Sequence, residues 1–145
     1  MTTTGSTPPW RRSARASGIF GAHDPRDPEL DKAAKVLVQD PPAASGDRLA
    51  LDYYYWYYGT LALNQIDGPD SPRRTGRYWP SWNRALTEAV LPLQDRAPRS
   101  CTNGGWLEPD RWGFDDGPLY ATAINVLTLE VNYRYENAFG GKKRK

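Results

Sequence analysis

Residues 51–63 read LDYYYWYYGTLAL, and this stretch decides the fold of the chain. A weaker copy, LYATAINVL, follows at residues 119–127. The two copies share a tyrosine, a small residue and a threonine, at Tyr58-Gly59-Thr60 and at Tyr120-Ala121-Thr122. Similarity within one chain is typical of repeat proteins, in which each unit buries its apolar face by stacking on the next. The two copies therefore predict a repeat architecture.

The six consecutive aromatic residues at positions 53–58 cover the whole circumference of a helix. Such a helix has no polar face unless tyrosine hydroxyls line a cavity or meet water. Aromatic faces can stabilise carbocations by cation-π attraction, but aromatic stripes are more often packing than chemistry. We therefore interpret these rings as core and cavity lining. The candidates for the cavity wall are Tyr54, Tyr55, Trp56, Tyr58 and Tyr120.

Four segments combine an apolar period of about 3.6 residues with helix start and stop signals. The first segment begins at Asp27-Pro28 and ends before Pro41-Pro42. The second runs over about residues 51–65 and the third begins near Trp79-Pro80. The last runs over about residues 118–136. No segment alternates apolar and polar residues for long, as a half-buried strand would. The chain is therefore predicted to be all-α and built from antiparallel helix pairs.

Composition divides the chain into three parts. Residues 1–9 are Thr, Ser, Gly and Pro and are predicted to be disordered. Residues 10–139 form the predicted helical domain, whose first piece, over residues 10–21, is compatible with a short helix. Residues 140–145 form a basic tail that begins with two glycines.

No apolar run reaches the about 18 residues that a membrane span needs, so we expect no transmembrane segment. No signal peptide is visible, and we leave the compartment open.

Charge and residue counts limit the classes of function. The net charge is +2, and the tail alone supplies four positive charges, so the remainder of the chain is slightly negative. Nucleic-acid binding needs Lys and Arg gathered on one face, so we expect no nucleic-acid partner.

The single cysteine, Cys101, and the single histidine, His23, rule out a disulfide framework and a multi-cysteine zinc site. We expect no metal and no cofactor.

The order of motifs along the chain resembles the prenyltransferase and squalene oxidase repeat proteins, and in particular the C-terminal part of their uncharacterised bacterial members. The resemblance covers about residues 16–139, and it is carried by residues 54–63, Trp82-Asn83, Gln94 with Gly104-Gly105-Trp106, residues 120–123 and residues 127–135. It implies part of a terpene-cyclase-like α/α toroid. It also implies that Gln94, Gly104 and Trp106 tie adjacent outer helices together, although the gap after Gln94 is longer than in the family pattern.

Catalytic groups are sparse. Cyclases of this family use an aspartate-rich motif as acid, and the nearest pair here, Asp115-Asp116, precedes a predicted helix, where carboxylates commonly cap amides. We therefore expect a non-catalytic structural or binding domain, and a truncated chain that self-associates. The expected partner is an apolar or isoprenoid ligand or another protein. The alternative is a terpene cyclase or prenyltransferase fragment acting on an isoprenoid.

A third hypothesis is a sugar-binding domain. Exposed tryptophan and tyrosine rings stack on sugar faces. This hypothesis requires four tryptophans to be exposed in one groove, namely Trp79, Trp82, Trp106 and Trp112.

Overall fold

The computed structural model describes residues 27–44, 51–108, 110–112 and 117–134. Within these residues the chain forms four α-helices and no strand: α1 (Pro28–Leu37), α2 (Tyr53–Asp67), α3 (Trp79–Val90) and α4 (Gly117–Arg134). A single 3-10 turn, Leu91–Leu93, follows α3 directly. The all-α prediction is confirmed. The predictions made for residues 1–9, 10–21 and 140–145 lie outside the described residues.

Helix α1 begins at the predicted start signal. The Asp27 side chain accepts a hydrogen bond from the amide of Glu29 at 2.8 Å, and Pro28 occupies the first turn, where a missing amide costs nothing. Leu30, Ala34 and Leu37 recur at helical spacing and are buried. The apolar stripe of α1 therefore anchors it to the core, where it contacts α2.

Helix α2 is the centre of the packing, because α1, α3 and α4 all contact it. Twelve of its fifteen residues are buried. Its buried polar groups are paired: the Thr60 hydroxyl donates to the Trp56 carbonyl at 2.6 Å and accepts from the indole nitrogen of Trp82 at 2.9 Å. The neighbouring helices thus cover most of the aromatic side chains around α2, which would be exposed to water on an isolated helix.

Helices α2 and α3 approach most closely at Gly59. A Cβ atom on Gly59 would lie 2.6 Å from Cζ2 of Trp82, whose side chain is buried and hydrogen-bonded to Thr60. We expect Gly59→Ala to lower the free energy of unfolding by about 1–2 kcal/mol, because overpacking costs about 1–3 kcal/mol and alanine regains up to about 1 kcal/mol of helix propensity. Urea denaturation followed by circular dichroism measures this loss.

The control for Gly59→Ala is the same change in a Trp82→Phe background. Phenylalanine lacks the ring atoms that the new methyl group would meet, so the cost of Gly59→Ala should shrink there. An equal cost in both backgrounds would show that the contact with Trp82 is not the cause.

The carboxylate of Asp67 organises the connection between α2 and α3. One oxygen accepts from the Thr75 hydroxyl at 2.8 Å and from the amides of Thr75 and Gly76, and the other accepts from the amides of Tyr78 at 2.8 Å and Trp79 at 3.1 Å. Helix α3 has no capping side chain at Tyr78, so Asp67 supplies the acceptor and the negative charge at its N-terminus. Burial acts to raise the pKa of Asp67, but these hydrogen bonds outweigh it and hold the pKa below its ordinary value.

Gln94, Gly104 and Trp106, the residues of the predicted tie, lie together in the structure. The Gln94 side-chain amide donates to the Gly104 carbonyl at 2.8 Å, and Gln94 pairs with Trp106 in an isolated antiparallel bridge. Trp106 is buried, and its indole nitrogen donates to the carbonyl of Val90 at 2.8 Å. The φ angle of Gly104 is 90°, a conformation that favours glycine. These contacts join the end of α3 to the segment that leads towards α4.

Candidate functional site

Three aromatic rings form a solvent-facing group on one side of α2, which we call the aromatic surface: Tyr54, Tyr58 and Trp112. Tyr54 and Tyr58 lie one helical turn apart, with ring centroids 4.6 Å apart and planes tilted by 50°. The Tyr54 and Trp112 centroids are 6.3 Å apart, at 54°. Tyr54 is 40% exposed and Trp112 is 53% exposed, so both rings present area to water.

Two buried carboxylates accept from Trp112, one from its exposed indole and one from its backbone. Its ring nitrogen donates to Asp52 at 2.9 Å, and its backbone amide donates to Asp110 at 3.0 Å. Both carboxylates are themselves fixed to the start of α2, since Asp52 accepts from the Tyr55 amide at 2.9 Å and Asp110 accepts from the Tyr53 amide at 2.7 Å. Both polar N–H groups of Trp112 are therefore engaged while its ring faces solvent.

The surroundings of Trp112 carry more negative than positive charge. Asp52 and Asp110 are buried, and the second Asp52 oxygen finds no hydrogen-bond donor among the described residues, where the Arg111 guanidinium lies 4.0 Å from it. Burial raises the pKa of the neighbouring Tyr53 to about 12, and the negative charges of Asp110 and Glu108 act in the same direction. The edge of the aromatic surface is thus unfavourable for anions.

The tyrosine hydroxyls give the aromatic surface a polar edge. A hydrogen bond with Tyr54 is the main cause of the raised pKa of Tyr58, and partial burial adds to it. A hydroxyl has one hydrogen and two lone pairs, so a hydrogen-bonded pair of hydroxyls can also bond to a third group. A bound molecule would therefore find both an apolar ring and a hydroxyl pair.

The other sequence-predicted cavity residues lie in different surroundings. Tyr55 and Trp56 are buried in the hydrophobic core, where the Tyr55 hydroxyl donates to the carbonyl of Asp40 at 2.9 Å. Tyr120 is half-buried and packs against the same core. Of the five candidates, Tyr54 and Tyr58 are the two in the aromatic surface. The acid candidates Asp115 and Asp116 lie outside the described residues.

The structure does not meet the condition of the sugar-binding hypothesis, four tryptophans exposed in one groove. Trp79, Trp82 and Trp106 are buried in the packing between helices, with exposures of 7%, 1% and 2%. They are buried because each indole fills space between α2, α3 and the segment after α3, where its large apolar area is removed from water. Trp112 is the exposed member of that set, and its neighbours are tyrosines.

Sequence reasoning missed the roles of Asp52 and Asp110. Asp52 directly precedes the aromatic run, which is the pattern of a helix cap and offers a local signal. Asp110 offers none, because its hydrogen bond to the Tyr53 amide joins positions 57 residues apart. The packing of the segment after α3 against the start of α2 creates that contact.

A depression outside the aromatic surface lies beside the start of α4. This shallow depression of about 420 Å³ is lined by Cys101, Thr102, Asn103, Gly104, Gly105, Leu107, Pro118 and Thr122. Among residues 27–44, 51–108, 110–112 and 117–134, no three side chains of metal-binding type converge. No helix in these ranges is both long and apolar enough to cross a bilayer.

The chemistry available at the aromatic surface is stacking and hydrogen bonding. Its carboxylates are engaged with backbone amides and the Trp112 indole, so they serve to position groups. Comparison with known proteins adds no residue assignments, since no family model, no curated protein and no solved structure matches this chain.

Proposed function

We propose that this chain is a non-catalytic binding domain and that the aromatic surface is its binding face. The observation that carries the proposal is the position of Trp112, whose ring is half exposed to water while its indole N–H donates to Asp52 and its backbone amide donates to Asp110.

Anchoring the ring lowers the entropic cost of binding. A side chain that is immobilised only when a ligand arrives loses about 0.5–1.5 kcal/mol of conformational freedom at that step. In the free protein Trp112 is already held, and Tyr54 packs against both Trp112 and Tyr58. The aromatic surface is therefore preorganised for stacking.

We further propose that the helices form part of an α/α toroid of the prenyltransferase and squalene oxidase repeat type. Two observations support this proposal. Gln94, Gly104 and Trp106 contact one another, as the family pattern requires of them, although these contacts lie within the segment after α3. Helix α4 carries apolar residues on its open side, where Leu119, Val126 and Tyr133 recur every seven residues and are exposed. A neighbouring helix, from another repeat or another copy, would cover that stripe.

Titration calorimetry of the full chain tests the binding proposal. The probes are cellohexaose, chitohexaose, mannohexaose, farnesol and farnesyl diphosphate. We expect at least one of them to bind, and Trp112→Ala to weaken that binding at least about tenfold, because truncation of an aromatic anchor is among the costliest changes in a binding site. The variant should remain folded, since Asp52 and Asp110 keep the Tyr55 and Tyr53 amides as donors.

The matched control is Tyr133→Ala, which removes an exposed ring outside the aromatic surface and should leave the affinity unchanged. Binding that survives Trp112→Ala would contradict the proposal.

A turnover assay tests whether the chain is non-catalytic. After incubation of the chain with magnesium and either farnesyl diphosphate or squalene, mass spectrometry should detect only the intact substrate. A cyclised or prenylated product would instead favour the fragment of a terpene cyclase or prenyltransferase.

A further inference from the structure

We propose that the ligand of the aromatic surface is a neutral carbohydrate, with one pyranose ring stacked on Trp112 and its hydroxyls bonded to the Tyr54 and Tyr58 hydroxyl pair. This inference rests on the proposed function and names the ligand class for the same site. It differs from the hypothesis made from the sequence, because it needs one exposed tryptophan beside two tyrosines and not a groove of four tryptophans. Three features of the site lead to it: the engaged indole nitrogen, the charge around it, and the openness of the surface.

The engaged indole nitrogen restricts Trp112 to recognition through its ring. The only side-chain donor of a tryptophan is its ring N–H, and here that group is bound to Asp52 at 2.9 Å. Ligands that need a hydrogen bond from the indole, such as a peptide carbonyl, are therefore disfavoured. The C–H groups on one side of a pyranose carry slight positive charge, and they suit the negative face of an aromatic ring.

The charge around Trp112 disfavours phosphates. The buried carboxylate of Asp52 accepts from the indole N–H and that of Asp110 from the Trp112 backbone amide, and Arg111 lies at 4.0 Å from Asp52, where it is already attracted to that carboxylate. An isoprenoid diphosphate or a nucleic acid would bring its charge towards these carboxylates, which raises its energy at this site. A neutral sugar avoids the repulsion.

The openness of the surface disfavours an uncharged prenyl chain. Tyr54 and Trp112 remain 40% and 53% exposed, so a chain lying on them would keep its outer side in water, whereas apolar ligands are usually enclosed in pockets. Such a chain would also cover the Tyr54 and Tyr58 hydroxyls without offering them a partner, which is unfavourable. A sugar supplies hydroxyls that pair with both and tolerates water on its outer side.

Two variants separate the two contacts. Trp112→Ala removes the stacking ring, and Tyr58→Phe keeps the ring but removes a hydroxyl. We expect one of the hexasaccharides, cellohexaose, chitohexaose or mannohexaose, to bind. Trp112→Ala should then weaken binding at least about tenfold, and Tyr58→Phe should weaken it by about twofold to tenfold, the usual range for loss of one hydrogen bond. Tyr133→Ala is the unchanged control.

Acrylamide quenching of tryptophan fluorescence locates the bound sugar. Trp112 is the exposed tryptophan of the described residues, and Trp10, which lies outside them, is removed by a Trp10→Phe background. A hexasaccharide bound at the aromatic surface should slow quenching by covering the indole. The same sugar should leave quenching unchanged in the Trp112→Ala variant.

The outcomes distinguish failure of this inference from failure of the proposed function. Binding of farnesol or farnesyl diphosphate that depends on Trp112, with no hexasaccharide bound, overturns the carbohydrate inference and leaves the aromatic surface as the binding face. A hexasaccharide that binds equally well to Trp112→Ala overturns both, because the sugar then sits elsewhere. Binding of none of the probes also overturns both.

Discussion

Replacement of Asp67 by alanine is expected to lower the free energy of unfolding by about 3–5 kcal/mol. The buried carboxylate is the acceptor for the amides of Tyr78 and Trp79 at the start of α3, and each buried amide left without an acceptor costs about 1–3 kcal/mol. The same change removes the acceptor of the Thr75 and Gly76 amides. Urea denaturation at pH 7, followed by circular dichroism, measures the loss.

Asp67→Asn is the matched control for charge and geometry. Each oxygen of the Asp67 carboxylate accepts from N–H or O–H donors. An asparagine would place its NH2 group where one of these oxygens lies, so donors would face donors. The loss in free energy of unfolding for Asp67→Asn should therefore remain above about 2 kcal/mol. A loss below about 1 kcal/mol for both variants would show that water replaces the carboxylate and that Asp67 does not hold the loop.

The same carboxylate predicts part of the acid sensitivity of the fold. The pKa of Asp67 is lower in the folded chain, so its stabilisation is complete above the unfolded value of about 4 and is lost as the pH falls through the folded value. The urea midpoint of the wild-type chain should therefore fall as the pH is lowered below about 4, and that of Asp67→Asn should fall less steeply. The urea midpoint of Asp67→Asn should still depend on pH, because hydrogen bonds from Lys35 to Asp31 and from the Ala97 amide to Asp95 lower the pKa values of those carboxyls too.

Trp82→Ala is expected to have an effect of similar size, a loss of about 3–5 kcal/mol. Trp82 is 1% exposed, meets the Tyr55 ring edge-on with centroids 5.8 Å apart, and donates its indole N–H to Thr60. Alanine would leave a cavity between α2 and α3 and would remove the donor to a buried hydroxyl.

Trp82→Phe separates the ring from the hydrogen bond. It keeps an aromatic group against Tyr55 and loses the N–H, so its cost should fall well below that of the alanine variant. Thermal and urea unfolding of both variants, followed by circular dichroism, provide the comparison. Equal costs for the two would mean that the hydrogen bond to Thr60, and not the packed volume, accounts for the effect.

Local signals in the sequence predicted the helices. Asp27 and Pro28 mark the start of α1, and Trp79 with Pro80 marks the start of α3, because capping and proline effects depend on a few neighbouring residues. The second helix ends at Asp67, a little beyond the predicted end, since its last turn is held by the tertiary contacts of the Asp67 carboxylate. The proposed toroid and its family remain predictions from the residue pattern.

The aromatic run shows where sequence reasoning stops. Six rings around one helix establish that α2 must be covered on most sides, because so much apolar area is unfavourable in water. Which rings stay exposed depends on where α1, α3, α4 and the segment after α3 lie. Tyr55 and Trp56 are buried in the core, Tyr58 is half-buried against it, and Tyr54, which packs on Tyr58, is exposed.

The sequence by itself determined the helical class, most helix ends and the need for a central buried helix, since these follow from contacts between residues a few positions apart. Only the tertiary structure decided the binding face. It brings Asp110 to the amide of Tyr53 and the Trp112 indole to Asp52, across 57 and 60 positions of chain. Contacts at that separation depend on how whole helices pack, and no local pattern of residues encodes them.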